Sequence, residues 1–310
     1  MANPSPVKQH PYRLNPIKAE YMKKEIQYML EHNIIEPSSS NWSSPCILVP
    51  KPDKTFRFCT DFRKVNAITK TDSYPIPRLD DCIDQIGNAV YISKFDLLKG
   101  YWQVPLTERA KEVSAFVTPD GLFQYNVMAF GMKNAPATFQ RMINSVIQGI
   151  DGCAAYIDDV ILFSDTWEDH IAIMRKLFER LSKEVLTVNL AKSEFCHATV
   201  EYLGHVVGQG QVKPIMAKVE AVLNFPTPTN KKELMRFLGM IGFYRKFCSN
   251  FSSIATPLTN LLKKTSKFDW NQSCEVAFQA LKSILVRVNQ PVFSTPDFTK
   301  QFKLNVDASD

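Results

Sequence analysis

No Cys-x-x-Cys pair occurs among the seven cysteines of this 310-residue chain. An odd, scattered set argues against a disulfide framework and a zinc site, and for a reducing compartment. Each cysteine reads as a small core residue. Also missing is any apolar run near the ~18 residues that a membrane-spanning helix needs, so no membrane partner is expected. Residues 1–6 lack the apolar core of a signal peptide. Internal repeats and low-complexity tracts are absent. Neither sign of charge dominates: 37 basic against 31 acidic residues leave +6, a mild basic bias that suits a polyanionic partner without requiring one. What remains is an ordinary apolar share, 45%, in a chain long enough for two or three domains.

The stretch that stands out is residues 154–163, where Asp158-Asp159 lies between two short runs rich in aromatic and β-branched residues. The runs read as strands, and the acidic pair falls at a tight turn between them. Hairpin turns favour Asn-Gly or Asp-Gly, so two adjacent like charges are a poor choice on fold grounds alone. A solvated acidic turn is the plain reading; a divalent cation that offsets the repulsion is the functional one. A third carboxylate bears on the choice. Residues 91–97 form another apolar run that carries Asp96 near its end. Paired beside the hairpin, it would join Asp158 and Asp159 at one sheet edge, and such a trio can hold two metal ions about 3.5–4 Å apart.

Tyr156-Ile157-Asp158-Asp159 resembles the Tyr-x-Asp-Asp box of reverse transcriptases, and Phe95-Asp96-Leu97-Leu98-Lys99-Gly100-Tyr101-Trp102-Gln103 resembles their first carboxylate motif. From about Pro11 to the last residue the pattern is similar to the pol polyprotein of gypsy-type LTR retrotransposons and retrovirus-like elements. The resemblance implies an α+β right-hand polymerase: fingers, an antiparallel palm sheet, a helical thumb and a truncated ribonuclease H-like start. It implies RNA-directed DNA synthesis, with Asp96, Asp158 and Asp159 holding two Mg²⁺ ions, or Mn²⁺ in their place, and Lys192 protonating the leaving pyrophosphate. Lys51 and Arg57 would meet the nucleotide triphosphate from a mobile fingers hairpin, alongside Leu97, Lys99, Gly100, Tyr101 and Phe130. Tyr101 would lie under the sugar and exclude a ribose 2′-OH. Phe130 stands where many reverse transcriptases carry glutamine, so apolar packing is expected there. Gly131, Asn134, Pro136, Tyr156, Tyr202, Leu203 and Gly204 would contact template or primer. The implied partners are an RNA or DNA template with its primer, and dNTPs; the oligomeric state stays open. The implied location is a cytoplasmic particle or the nucleus. The competing classes are a retroelement remnant that only binds nucleic acid, and another two-metal palm enzyme.

Along the chain, residues 1–10 are expected to be disordered, 11–208 to form fingers and palm, 209–256 the thumb, and 257–310 the connection and ribonuclease H-like start. Asn15 is expected to cap a helix opened by Pro16, with Met22, Ile26, Met29 and Leu30 on one face. Asp61 and Arg63 read as a structural ion pair, and His205 as a surface histidine. Trp167, Ile171, Met174, Phe178 and Leu181 form a core stripe after a Thr166 cap, and residues 186–190 read as a strand. Asn230 and Glu233 have capping-box spacing. The resemblance makes residues 302–306 the first ribonuclease H strand, with Asp307 as the first of its metal-binding acids and Asp310 at the end. Hybrid cleavage is therefore not expected. An unpaired strand is a sticky edge, so cutting near Lys264 is expected to improve solubility. Met1 is not expected to be a natural start.

Overall fold

The computed structural model describes residues 5–53, 55–248, 250–287 and 293–294. Two compact units emerge: one of Met1–Pro77, Phe95–Ile161 and Ile173–Ser193, the other of Arg78–Lys94, Leu162–Ala172 and Glu194–Asp310. The elements in chain order are α1 (Pro16–Glu31), β1 (Ile35–Pro37), β2 (Ser44–Pro50), β3 (Phe56–Thr60), α2 (Arg63–Ile68), α3 (Leu79–Asp84), β4 (Tyr91–Asp96), α4 (Glu108–Val113), β5 (Phe116–Thr118), β6 (Gly121–Tyr125), α5 (Ala135–Ile147), β7 (Cys153–Tyr156) and β8 (Asp159–Ser164). There follow α6 (Trp167–Lys183), β9 (Glu194–His197), β10 (Val200–Tyr202), β11 (His205–Gly208), β12 (Gln211–Pro214), α7 (Met216–Leu223), α8 (Lys231–Gly242), α9 (Phe251–Leu261) and α10 (Gln272–Arg287).

In the first unit, α1 begins as its sequence dictates. The Asn15 side chain accepts from Lys18 N–H at 2.9 Å and Pro16 supplies a preset φ. Its inward residues Met22, Ile26 and Met29 pack with Ile35, Leu48, Phe62, Phe116 and Tyr125 in one apolar cluster. The sheet there runs β1-β6-β5-β2-β3, antiparallel except for β2 with β5. Asp61 and Arg63 pair as expected: the guanidinium meets both carboxylate oxygens, at 2.8 and 2.6 Å, and holds that carboxyl down to about 2. Disorder over residues 1–10 does not hold for the part described. Ser43 N–H donates to Val7 O at 2.9 Å and Gln9 N–H to Ser43 O at 3.1 Å, so residues 7–9 form a lone bridge to Ser43, just before β2. One local reading also changes. Residues 186–190 make a lone bridge, Leu97 with Val188, in place of a strand.

In the second unit, β4 and β9 pair antiparallel, and His170 of α6 is fully buried between two hydroxyls, Ser93 Oγ at 2.7 Å and Ser164 Oγ at 3.0 Å. Burial lowers the pKa of this imidazole. The expected stripe holds in part: Leu181 is buried and Ile171, Met174 and Phe178 half-buried, whereas Trp167 is 47% exposed and His170 and Leu177 are fully buried. β10, β11 and β12 form an antiparallel meander. Helices α7 to α10 pack beside one another, with Phe237 and Phe278 rings 4.5 Å apart. Asn230 caps α8 by accepting from Glu233 N–H at 3.0 Å, and Glu233 returns a bond to Thr229 N–H at 2.8 Å. The expected boundary after residue 256 falls inside α9. Cutting near Lys264 would remove α10, whose Phe278 and Leu281 are each 1% exposed, and this burial argues against the expected gain in solubility. The expected strand at 302–306, with Asp307 and Asp310, lies outside the described residues.

Candidate active site

β4 buries Ile92, Ser93 and Phe95 and delivers Asp96, half-buried, at its end. The chain then turns, and backbone hydrogen bonds stitch the turn to two distant segments. Leu97 N–H donates to Asp158 O at 3.1 Å, Leu98 N–H to Thr187 O at 3.0 Å, and Asn189 N–H to Asp96 O at 2.8 Å. The Gln103 side chain tightens the second seam, donating to Leu98 O and Thr187 O and accepting from Thr187 N–H at 2.6 Å. The 3₁₀ turn Leu190–Lys192 then places Lys192 Nζ 3.9 Å from Asp96 Oδ2.

β7 and β8 are joined by a two-residue turn, Ile157-Asp158, and Asp159 opens β8. Ile157 has φ +55°, a left-handed conformation that β-branched residues rarely adopt. Asp158 approaches the Asp96 turn closely: a Cβ on Gly100 would lie 3.1 Å from Asp158 Cβ and 3.2 Å from Phe139 Cζ. The fit therefore depends on glycine at 100. The Asp158 carboxyl is pushed above its ordinary value, chiefly by burial and further by the Asp96 charge, with Lys192 opposing. Tyr101, half-buried beside it, has its phenol pushed up to about 12, mainly by burial, and then by the charges of Asp158 and Tyr156.

The Phe130 ring, 51% exposed, lies 5.0 Å from Tyr101 and 6.2 Å from Trp102. Tyr101 also rests on Phe139 at 5.5 Å. Lys51 and Arg57 stand exposed on the β2–β3 hairpin. Gly131 has φ +92°, and Pro136 sits in the first turn of α5.

Several expected contacts are placed otherwise. The Leu97 side chain is 1% exposed, so it supports the site from within the core. Lys99 sends its ammonium to the Tyr28 hydroxyl at 3.0 Å and over the Tyr28 and Trp102 rings at 4.7 and 4.6 Å. Asn134 spends both ends of its amide on Asp72 N–H and Lys70 O. In the second unit, Tyr202 is 1% exposed, which leaves the half-exposed turn Leu203-Gly204, at φ +47° and +82°, as the accessible part of that hairpin. His205 is buried, its ring stacked on Phe243 at 5.1 Å, because β11 alternates His205 and Val207 inward.

Gln140 carries a role that the sequence pattern did not single out. Fully buried on α5, it accepts from Ile157 N–H at 2.7 Å and donates to Ala155 O at 3.0 Å. Its position on an otherwise apolar helix face was the signal available.

Among the described residues, no three acidic, histidine or cysteine side chains converge closely enough to cage a cation. The donor chemistry nevertheless fits a hard ion. Asp96 and Asp158 repel one another across a partly desolvated space, and Mg²⁺ completes its shell from water and substrate phosphates instead of an all-protein cage.

Residues 49–207 match the family model described as reverse transcriptase (RNA-dependent DNA polymerase). The chain is 38% identical over 314 residues to the Retrovirus-related Pol polyprotein from transposon 297 of Drosophila melanogaster, covering 98% of this chain and 29% of that polyprotein. It is 32% identical over 301 residues to the Transposon Tf2-3 polyprotein of Schizosaccharomyces pombe, covering 96% of this chain and 22% of the other. The chain thus spans less than a third of these relatives. Among solved structures, the foamy viral protease-reverse transcriptase dRH in complex with ds DNA superposes with TM-score 0.86 at 25% identity, over 92% of this chain and 51% of that one. The same viral enzyme in complex with RNA/DNA hybrid gives 0.81 at 26% identity, over 91% and 38%. The fold is that of a reverse transcriptase polymerase, with antiparallel sheets carrying the acidic turn, and the chain belongs to the reverse transcriptase (RNA-dependent DNA polymerase) family.

Proposed function

We propose that this chain extends a primer 3′-OH with dNTPs on an RNA or DNA template. The observation that carries the reading is the approach of Asp158 to Asp96, held by the Leu97–Asp158 backbone bond and made possible by Gly100, with Lys192 at 3.9 Å. Asp96, Asp158 and Asp159 would hold two divalent ions, Mg²⁺ or Mn²⁺. When bound, such ions neutralise phosphate charge and lower the pKa of an attacking hydroxyl. The protein's own contribution is position and charge, as in phosphoryl transfer generally. Arg57 suits the triphosphate because its fork can meet two phosphate oxygens at once, and Lys51 stands on the same hairpin. Lys192 can give a proton to the departing pyrophosphate. Tyr101, kept neutral by its surroundings, presents a flat ring under the sugar. Leu203-Gly204 is the accessible turn for primer backbone, and Gly131 with Pro136 for template.

The foamy viral neighbours bound to duplex DNA and to RNA/DNA hybrid support a template–primer as the ligand. The test is primer extension on poly(rA) with oligo(dT), dTTP and Mg²⁺, beside a binding titration. Asp158→Asn is expected to bind template–primer normally and extend it at least ~10²-fold more slowly. Wild-type chain that binds but never extends would leave only the nucleic-acid-binding reading.

A further inference from the structure

The catalytic hairpin holds Ile157 in a left-handed conformation that an isolated β-branched residue would leave. Something must hold it there, and the bonds around Gln140 show what. The single carboxamide of Gln140 brackets the turn: its oxygen takes Ile157 N–H at 2.7 Å and its nitrogen gives to Ala155 O at 3.0 Å. The second hydrogen on that nitrogen goes to Asn144 Oδ1 at 2.9 Å, one helical turn along α5. Asn144 in turn donates to the Tyr74 hydroxyl at 2.9 Å, and Arg141 lies over the Tyr74 ring at 4.8 Å while binding both oxygens of Asp72. The amide of Gln140 therefore has one orientation in which its three bonds are all made, and Asn144 selects it.

We infer that Gln140, oriented by Asn144 and Tyr74, is a positioning residue that clamps the Ile157 turn and so sets where Asp158 stands. It touches neither substrate nor metal in this scheme. The inference rests on the polymerase reading only for its kinetic consequence; the clamp itself can be measured without catalysis.

Gln140→Met keeps length and volume while removing every bond. In hydrogen-exchange mass spectrometry of the full chain without nucleic acid or metal, peptides spanning residues 153–160 should exchange at least ~10-fold faster, while α1 peptides stay unchanged. In primer extension, kcat should fall by roughly 10- to 100-fold with KM for template–primer within about two-fold, the split expected of misplacement. Glycine adopts the left-handed turn freely, so Gln140→Met should cost markedly less in an Ile157→Gly background; a merely structural role in the core would give the same loss in both. Should Gln140→Met not fold, Asn144→Ala, at a half-buried position, carries the test through a smaller loosening of the same peptides. Unchanged exchange in residues 153–160 in the folded variant, or a loss of kcat that Ile157→Gly does not relieve, overturns the clamp. If Gln140→Met shows the exchange effect but the wild-type chain extends no primer, the clamp stands and the polymerase reading alone falls.

Discussion

Gly100→Ala adds one methyl group at the point where the two acid-bearing segments meet. That carbon would stand 3.1 Å from Asp158 Cβ and 3.2 Å from Phe139 Cζ. Ordinary carbon contacts lie at about 3.5–4.0 Å, so neighbours must yield by roughly 0.3–0.9 Å. Phe139 is fully buried and carries Tyr101 on its face, so it has little room to retreat. The displacement falls largely on Asp158. Overpacking of this kind costs about 1–3 kcal/mol. Alanine returns about 0.4–1 kcal/mol by restricting the unfolded chain. The net cost is then between about zero and about 2.6 kcal/mol, which the fold can absorb. Catalysis is less tolerant, since a ~1 Å misplacement can cost ~10²-fold. Single-nucleotide primer extension should therefore fall at least ~10-fold while thermal unfolding stays cooperative. Gly239→Ala is the control: it lies on α8 with nothing within 4 Å of the new methyl, and should gain about 0.5–1 kcal/mol. Gly100→Ala that extends primers within about two-fold of wild type would refute the close approach of Asp158.

Asp158→Asn removes a carboxyl whose folded pKa is raised, so ionisation of that group costs the wild-type fold. In chelator-treated protein, the variant's advantage in melting temperature should be absent below about pH 4, grow as pH climbs through the raised pKa, and then level off; a difference constant with pH refutes the burial argument. Tyr101→Ala should raise ribonucleotide relative to deoxyribonucleotide incorporation in competition assays, and equal discrimination removes the ring from the sugar site. Template–primer binding should weaken with salt at a slope near −4 to −5 in log–log form, if about five phosphates are neutralised; a flat anisotropy titration counts against basic phosphate contacts. Cutting after Lys264 uncovers the partners of Phe278 and Leu281, at about 1.5–3 kcal/mol for each side chain, so the shortened chain should aggregate in light scattering; a monodisperse, cooperatively melting product would show that α10 is dispensable.

What was legible in the sequence shared one property: the signal was local. Asn15-Pro16 and Asn230 with Glu233 mark helix starts because caps act over three or four residues. Asp158-Asp159 between apolar strands, and Asp96 at the end of another, were readable because strand burial and charge repulsion act along the chain. Asp61 and Arg63 paired because they lie two residues apart. Tyr202 carried two competing readings. The alternation Val200, Glu201, Tyr202 puts the tyrosine inward, as the structure has it, and the family resemblance drew it toward the primer instead.

What was not legible acts across long separations through backbone atoms, which have no residue identity. Gln103 sutures Thr187 over 84 positions, and Gln140 grips Ile157 over 17. The apolar face of α5 marks Gln140 as inward, but it names no partner until the Ile157 N–H is known to lie there. Lys99 shows the converse difficulty. A lysine beside a triphosphate motif reads as a phosphate ligand, yet two aromatic rings and a phenol from α1 and the following turn compete for the same ammonium. At an exposed site such as this one, each cation–π contact is worth about 0.5–1 kcal/mol. Charge near an active site therefore does not assign a residue to the substrate; the geometry of its alternative partners does.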